Sequence, residues 1–506
     1  MSFSPSFDDF VGPYDAGRPQ LVSTTLVADL ETPVSAMLKL ADGEPNSFLL
    51  DSVEGGAVSG RYSIIGIKPD LIWRCIGSTA SVNRRARADT RTFVDDTDPP
   101  LISLRKILAE SAIEIPEGYP PMAAGMVGYM GYDMVRLMEH LPNDKPAPID
   151  GIPDSLLVRP TIMAIFDSVK NEIIVITPVR PEEGVSAKVA YTRACERLND
   201  AIEALDKPLP HGHEEIADLS ELPEPVSNTT HDDYVHMVER ARDYIGAGDI
   251  FQVVLSQRFS VPFTLPHFTY YRALRRINPS PYMYYLAFED FSIVGSSPEI
   301  LVRLRDSTVT IRPIAGTRPR GATPAEDREL ADSLLHDPKE LAEHLMLLDL
   351  GRNDVGRVAK VGTVKVTDKM FIEHYSHVMH IVSNVEGEID PKYDGIDAMV
   401  GGFPAGTVSG APKVRAMQII DELEKEKRGV YAGAVGYFSA NGQMDSAIVL
   451  RTAILKDGTL YAQAGAGIVA DSVPENEFQE CRQKARALFR AAEEAVRFAS
   501  MRPRGQ

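Results

Sequence analysis

Two segments in the last third of the chain predict helices with paired carboxylates, and they constrain the structure more than any other feature. The first segment covers 338–354, and the second, 465–484, passes from a glycine turn and strand end into a helix. Each helix carries glutamates three residues apart, which are Glu340 and Glu343 in the first and Glu477 and Glu480 in the second. Residues at this spacing lie on one helix face. If the two faces meet, four carboxylates converge, and such a cluster needs a cation or protons to neutralise it.

The chemistry of these side chains indicates which cation would fit. A cluster of oxygen ligands without histidine or cysteine suits Mg²⁺. The alternative is that both pairs lie on solvated helix faces, which is the common situation for charged helix residues. From the residues alone, a magnesium site and two exposed acidic faces both stay open.

Composition excludes several classes of function. The net charge of -19 argues against a nucleic-acid-binding protein, and it requires a local positive site for any anionic substrate. Cys75, Cys195 and Cys481 are far apart in the sequence, which favours a reducing compartment. No apolar run is long enough to span a membrane, so we expect a cytoplasmic protein without membrane association.

The length of 506 residues predicts two domains or one large two-part body. A stretch rich in proline and acidic residues, 205–229, predicts a linker. It separates an N-terminal region, 21–204, from a second region, 230–498. Strands alternate with helices on both sides, which indicates a mixed α and β class.

The stretch 81–100 is polar and carries four arginines, which are Arg84, Arg85, Arg87 and Arg91. We interpret it as an exposed hairpin or loop. A basic patch is the alternative.

Six polar motifs punctuate the second half: NPSPYMYY from Asn278, GSSPEIL from Gly295, RPIAGTRPRG from Arg312, VMHIVSNVEG from Val378, FPAGTVSGAPK from Phe403 and DSAIVLRTA from Asp445. Together with the carboxylate helices, they resemble the chorismate-utilising enzymes over 21–498. The resemblance is greatest to the anthranilate synthase component I group. It implies an α+β fold of that type, with a large two-part β-sandwich-like core flanked by helices.

The resemblance also implies a reaction, the first step of tryptophan biosynthesis. Ammonia adds to C2 of chorismate as the C4 hydroxyl leaves, and pyruvate is then eliminated to give anthranilate. Such an enzyme is an Mg²⁺-dependent carbon–oxygen lyase. In this chain the implied metal ligands are Glu343 and Glu480, with Glu340 and Glu477 acting through water.

Four residues match catalytic positions of the family: Glu299, His380, Gln252 and Thr317. The resemblance makes Glu299 the acid that helps the C4 hydroxyl leave and ties His380 to the elimination. The residues alone favour simpler interpretations, with Glu299 as a glutamate after a proline at a helix start and His380 as a satisfied core histidine.

The resemblance implies a second set of residues that bind the substrate carboxylates: Thr407, Arg451, Tyr461, Gly465, Ala466, Gly467 and Lys484. Tyr437 is the alternative to Tyr461. Without the family, Arg451 is equally well explained by a structural salt bridge.

Two positions separate the reactions within the family. Members that add water to C2 have a lysine where this chain has Gln252, and glutamine cannot act as a base toward water. Aminodeoxychorismate-forming members have a nucleophilic lysine where this chain has Ala315. The combination of Gln252 and Ala315 therefore favours direct amination by ammonia.

The resemblance implies partners and an inhibitor. None of the three cysteines lies in a GxCxG context, so ammonia is expected from a glutamine amidotransferase subunit, component II, in a heterotetramer of two large and two small subunits. LLDS at 49–52 and NPSPYM at 278–283 match a tryptophan feedback pocket, with contacts from Leu50, Ser52, Pro281, Tyr282 and Met283. Without the family, LLDS is a buried strand that ends in a turn.

Other functions stay open. One is a sister enzyme that makes aminodeoxychorismate or isochorismate. Another is a non-catalytic, tryptophan-sensing paralogue.

Overall fold

The computed structural model describes residues 2–41, 43–53, 60–209, 222–375 and 378–500. These residues form twelve α-helices: α1 Phe7–Asp15, α2 Pro33–Ala41, α3 Pro100–Glu110, α4 Ala187–Asp206, α5 His231–Gly246, α6 His267–Ile277, α7 Pro324–Leu335, α8 Pro338–Gly356, α9 Gly395–Gly402, α10 Gly406–Ser409, α11 Lys413–Leu423 and α12 Pro474–Ser500. Two short 3₁₀ helices cover Pro121–Ala123 and Tyr132–Leu137. None of the described helices is both long and apolar enough to cross a membrane.

The described residues also form 22 strands. They are β1 Gln20–Val27, β2 Ser47–Asp51, β3 Tyr62–Ile76, β4 Thr79–Asn83, β5 Val94–Asp95, β6 Gly125–Met130, β7 Ser155–Asp167, β8 Glu172–Val179, β9 Val226–Ser227, β10 Gln252–Pro262, β11 Tyr282–Ala287, β12 Phe291–Ser297, β13 Ile300–Arg305, β14 Thr308–Ile311, β15 Ile314–Pro319, β16 Lys365–His374, β17 Val378–Glu388, β18 Gly410–Ala411, β19 Ala434–Ser439, β20 Met444–Ile448, β21 Thr452–Lys456 and β22 Thr459–Ile468.

Antiparallel pairing arranges the strands into two connected sheets. The first runs in the order β9-β10-β22-β21-β12-β11-β2-β3-β7-β8-β1. The second continues from β7 in the order β6-β19-β20-β13-β14-β17, and β15 and β16 also pair with β17. Both sheets therefore share the long strand β7.

The two long strands β3 and β7 form the corner between the sheets. Their pairing shifts register between Pro69 and Leu71, and Lys68 just before the shift has φ 51. A bulge of this kind bends a strand, and strands that change sheets through bulges make the corners of sandwiches. Beyond the bulge, β7 pairs with β6 of the second sheet.

The core confirms the predicted two-part architecture. One apolar cluster combines side chains of the first sheet, such as Leu286 and Ile293, with side chains of the second, such as Val127 and Val435. A second cluster packs α4, α6 and α12 on the first sheet, and a third packs α8 and α9 on the second. The fold is thus α+β, with a sandwich-like core flanked by helices.

The two regions predicted from the sequence share this framework. In the N-terminal region, β2 pairs with β11 and β6 pairs with β19. The predicted linker begins where α4 ends, but its central residues, 210–221, lie outside the described part of the chain. The assignment of separate regulatory and catalytic regions stays a prediction about function.

Both predicted carboxylate helices are present. At the start of α8, Pro338 occupies the first turn and the Asp337 side chain accepts from the Lys339 and Glu340 amides, so the helix is well capped. On α12, buried Phe478, Cys481, Ala485 and Leu488 recur at three- and four-residue intervals. That apolar stripe fixes the rotation of α12 and leaves Glu477 and Glu480 on its flank.

Candidate active site

The predicted carboxylate faces of α8 and α12 are adjacent. Glu343 is half-buried, and its Oε1 accepts from Gln252 Nε2 at 3.1 Å. Burial raises the pKa of Glu343, and the charges of Glu340 and Glu480 raise it further. Lys484 offsets part of this repulsion, because its Nζ lies 2.7 Å from Glu480 Oε1. The cluster therefore holds more negative charge than the chain neutralises there.

The two outer glutamates are held differently. Arg318 pairs with Glu340 at 3.1 Å. Burial raises the pKa of Glu477, and the nearby charge of Glu480 raises it as well. In the described part of the chain, no three His, Cys, Asp or Glu side chains form a ready metal cage. Because Mg²⁺ is commonly bound by one or two carboxylates plus substrate and water, Glu343 and Glu480 fit its requirements.

Gln252 is buried at the start of β10, beside Glu343 and the glycine-rich end of β22. A Cβ on Gly467 would lie 2.6 Å from Gln252 Nε2, so the backbone must approach closely here. While Nε2 donates to Glu343, the buried Oε1 has no partner among the described residues. This carbonyl oxygen is available to accept a hydrogen bond from a small ligand.

His380 lies on β17 and faces β15. Its Nδ1 is 3.1 Å from the Gly316 carbonyl and 3.0 Å from Thr317 Oγ1. Since a carbonyl can only accept, Nδ1 carries the hydrogen and Nε2 is the basic nitrogen. Burial lowers the pKa of His380 to about 4, so the ring is neutral at pH 7.

Gly316 joins this histidine to the carboxylate cluster. It has φ 77, a conformation that glycine adopts without strain. A Cβ there would lie 3.1 Å from Glu340 Oε2. The bulge in β15 that contacts His380 therefore packs directly against the acidic face of α8.

Glu299 is buried immediately before β13. Thr407 Oγ1 donates to Glu299 Oε1 at 3.1 Å. Burial raises the pKa of Glu299 to about 8, although the Thr407 hydrogen bond and the charge of Arg451 oppose the shift. At neutral pH this side chain is an acid that still holds its proton.

Arg451 is a positive charge that acts on both Glu299 and His380. It lowers the pKa of both Glu299 and His380. Burial lowers the pKa of the guanidinium itself, and within the described residues it makes no salt bridge. The structural salt bridge considered from the sequence is thus not seen there. A half-buried guanidinium without a carboxylate partner can bind an anionic group bidentately.

The C-terminal end of β22 lies beside the carboxylate cluster. Lys484 Nζ donates to the Gly465 carbonyl at 2.9 Å and thereby ties α12 to the strand. Tyr461 lies four residues before Gly465, so their Cα atoms are roughly 13 Å apart along the strand. The Tyr461 ring packs under Arg258 at 5.6 Å. The structure thus groups Gly465 and Lys484 with the carboxylates but places Tyr461 further along β22.

Two tyrosines that the sequence did not indicate lie closer to these groups. A Cβ on Gly465 would lie 3.0 Å from the Tyr431 hydroxyl. The Tyr375 ring meets the His380 ring edge-on, with 5.3 Å between centroids. Tyr431 follows a Gly429 turn, which was a weak signal, whereas only the β16–β17 pairing brings Tyr375 to the histidine.

The segments of the predicted inhibitor pocket are also adjacent. Asp51 pairs with Met283 in the β2–β11 ladder, and the Val53 amide donates to the Ser280 carbonyl at 3.4 Å. Ser52 therefore lies beside the Pro281–Tyr282 step. Asp51 accepts from Arg275 Nε at 2.7 Å, which anchors the strand end.

The Tyr282 side chain points toward a polar group on the second sheet. Burial raises its pKa, and the charges of Asp445, Arg303 and Arg312 also act on it. Tyr437, the alternative ligand residue named above, pairs with Asp445 across β19 and β20. Tyr437 thus lies toward the Tyr282 side of the core.

Comparisons with known proteins show which family the chain is similar to. Residues 67–490 match the family described as chorismate binding enzyme. Anthranilate synthase component 1 of Cereibacter sphaeroides is 58% identical over 494 residues, covering 98% of each chain. The Thermus thermophilus protein of that name is 47% identical over 472 residues, covering 93% of this chain and 97% of the relative.

Solved structures show the same fold. The crystal structure of anthranilate synthase component I from Streptococcus pneumoniae is similar with a TM-score of 0.74 and 38% identity, covering 92% of this chain and 98% of that one. The menaquinone-specific isochorismate synthase from Escherichia coli has a TM-score of 0.69 at 19% identity, covering 96% and 98%.

The fold is α+β, and the described residues bring the buried carboxyl of Glu299, the neutral imidazole of His380 and the carboxylates of α8 and α12 near the guanidinium of Arg451 and the end of β22. The chain belongs to the chorismate binding enzyme family. It is a chorismate-utilising enzyme, and its relatives over nearly the full length carry the name anthranilate synthase component 1.

Proposed function

We propose that this chain is the component I subunit of an anthranilate synthase. It converts chorismate and ammonia to anthranilate and pyruvate in tryptophan biosynthesis. One observation carries the proposal: Glu299 is a buried acid with a pKa of about 8, next to the uncommitted charge of Arg451. Such a pair can bind a carboxylate and protonate a leaving hydroxyl at neutral pH.

Glu343 and Glu480 would hold Mg²⁺, and Glu340 and Glu477 would contact it through water. When bound, the ion would neutralise the ring carboxylate of chorismate and polarise it as a Lewis acid. The raised pKa of Glu343 supports this assignment, because a cation relieves both its burial and the repulsion from Glu480.

The chain's own groups divide the reaction into two steps. In the first, the Glu299 carboxyl donates its proton to the C4 hydroxyl, which leaves as water while ammonia bonds to C2, and the resulting ammonium group then loses one proton to solvent. Gln252 Oε1 accepts a hydrogen bond from that ammonia and orients it, with Thr317 and Thr407 holding His380 and Glu299 in place. In the second, His380 Nε2 takes the C2 proton, the C3–O bond breaks as the ring becomes aromatic, and the departing enolpyruvate takes up a proton to become pyruvate.

Two residues favour amination over the sister reactions. Water addition needs a base where Gln252 stands, and Gln252 donates to Glu343 without being able to accept a proton. A covalent path needs an amine where buried Ala315 stands. A non-catalytic paralogue would have lost acid, base or carboxylate positions, and all of those discussed are present.

The remaining parts of the proposal concern the assembly. A glutamine amidotransferase, component II, would supply ammonia in a heterotetramer of two large and two small subunits. Tryptophan would bind near Ser52 and Tyr282 as feedback inhibitor, and the protein would work in the cytoplasm.

The purified chain with chorismate, Mg²⁺ and an ammonium salt near pH 8 should produce anthranilate fluorescence. A parallel reaction with a chelator provides the control. Formation of isochorismate or aminodeoxychorismate, or no consumption of chorismate, would contradict the proposal.

A second experiment separates the half-reactions. His380→Met removes the base but keeps an apolar side chain, so the aminated, non-aromatic intermediate should accumulate, as seen by chromatography. If the variant leaves chorismate untouched, His380 serves the first step or the fold instead.

A further inference from the structure

A cavity of about 220 Å³ opens on the outer face of the first sheet, away from the residues discussed above. It lies between α2, α4 and the bulge in β3. Its polar lining consists of Lys68, Arg87, Thr161, Arg197 and Asp200. Three of these five side chains are cations, although the whole chain carries a net charge of -19.

The three cations are not neutralised by the chain. Within the described residues, Lys68, Arg87 and Arg197 form no salt bridge, and Asp200 is the one acid in the lining. Two nearby carboxylates, Asp70 and Glu182, also act on Arg197. However, Asp70 pairs with Arg159 at 2.7 Å, and Glu182 lies 3.9 Å from Arg193. The cavity therefore has an excess of positive charge.

Arg197 is the best-positioned of these cations. Its Nε donates to Thr177 Oγ1 at 2.9 Å, which fixes the plane of the guanidinium. Burial lowers its pKa, and the repulsion from Arg87 lowers it further. An oxyanion in the cavity would relieve that repulsion and accept two hydrogen bonds from the planar guanidinium.

The bulge in β3 places the third cation. Lys68 has φ 51, where a non-glycine residue is uncommon, and Thr161 Oγ1 donates to its carbonyl at 2.6 Å. Bulges re-aim side chains, and this one puts Lys68 at the cavity mouth instead of in the ladder. Arg87, one of the four arginines noted in the sequence, approaches from the segment after β4.

We propose that this cavity binds a small multivalent oxyanion, such as the phosphate group of a phosphorylated metabolite. The proposal is independent of the chorismate chemistry, because none of its residues belongs to the candidate active site.

Isothermal titration of the full chain with inorganic phosphate and with pyrophosphate tests the proposal. Chloride at matched ionic strength is the reference, and Mg²⁺ is omitted. We expect saturable binding, tighter for pyrophosphate, that weakens about tenfold in Arg197→Gln, since a hydrogen bond to a charged group is lost. Arg87→Gln, at an exposed position, should weaken it similarly without risk to folding.

Lys188→Gln is the matched control, because it removes one positive charge from an exposed position on α4 that lies outside the cavity lining and does not act on Arg197. It should leave phosphate binding within about twofold, as expected for a screened surface charge. The proposal is overturned if phosphate binds no better than chloride, or if Lys188→Gln weakens binding as much as Arg197→Gln. Unchanged anthranilate formation in each variant confirms that the protein remains folded.

Discussion

Two glutamates dock on the same strand, β10, and they differ in how their charge is compensated. Glu424 accepts from the Ser256 amide and hydroxyl, both at 2.8 Å, and from Arg428 at 2.6 and 3.0 Å. Four residues earlier on β10, Gln252 gives Glu343 a single hydrogen bond at 3.1 Å. Instead of an arginine, Glu343 faces Glu340 and Glu480.

This difference distinguishes a structural glutamate, Glu424, from a glutamate that is suited to bind a cation, Glu343. Arg428 has further hydrogen-bond partners, because it also donates to the Val254 and Val408 carbonyls at 2.6 Å each. That closed network holds the end of α11, β10 and α10 in one geometry. The Glu343 cluster is left under-neutralised by the same framework, which is what a site for an external cation requires.

The largest expected effect is loss of turnover in Glu343→Gln and in Glu480→Gln. Each removes a charged ligand, and because a bound metal ion supplies several kcal/mol of transition-state stabilisation, anthranilate formation should fall at least about a thousandfold. Stability should stay the same or rise, because repulsion among the glutamates decreases. The measurement is anthranilate fluorescence against Mg²⁺ concentration. Unchanged rate and Mg²⁺ dependence in both variants would rule out this metal site.

The second expected effect is on stability. Glu424→Gln leaves the buried Arg428 charge uncompensated and should cost about 3–5 kcal/mol in the free energy of unfolding. Glu343→Gln is the matched control and should change it by less than about 0.5 kcal/mol. Urea unfolding followed by circular dichroism measures both. Equal destabilisation of the two variants would remove the distinction between a structural and a binding glutamate.

Only the Glu343 side of this contrast was accessible from the sequence, and the reason is physical. Helices α8 and α12 were predicted because caps and apolar periodicity are local. The pairing of β3 with β7, and the sharing of β7 between the two sheets, were not, since strand register depends on partners far along the chain. For the same reason the sequence missed Tyr375 and Tyr431 and indicated Tyr461, which a long strand carries away from Gly465.

The third prediction concerns Glu299, which stays protonated at neutral pH because its side chain is buried. The rate of anthranilate formation, corrected for the concentration of free ammonia, should be constant below pH 8. Above that pH it should fall about tenfold per pH unit, because only the protonated Glu299 carboxyl can donate a proton. The same raised pKa stabilises the fold fully below the ordinary pKa of a glutamate, and that contribution is lost as pH rises through about 8. Glu299→Gln should be inactive and lack the inflection in stability. A rate that keeps rising above pH 9 would exclude Glu299 as the acid.

The smallest expected effect is regulatory, and it tests whether the two predicted regions communicate through their shared sheet. Tryptophan bound beside Ser52 and Tyr282 can inhibit only by favouring a conformation that binds chorismate poorly. Couplings of about 1–3 kcal/mol are typical, so saturating chorismate should weaken tryptophan binding roughly 5- to 150-fold. Equilibrium titration of tryptophan with and without chorismate, in the absence of ammonia, measures this factor.

Ser52→Phe gives the matching structural test. Little room surrounds the Ser52 side chain, because a Cβ on Gly60 would lie 1.6 Å from Ser52 Oγ. A phenyl ring at position 52 would therefore extend into the predicted tryptophan pocket. Inhibition should be relieved while turnover without tryptophan stays nearly intact, because Ser52 contacts none of the proposed catalytic groups. Ser168→Phe, in the exposed turn between β7 and β8, is the matched control and should keep full sensitivity. If Ser52→Phe is inhibited as strongly as the parent, tryptophan binds elsewhere, and the β2–β11 pairing is structural alone.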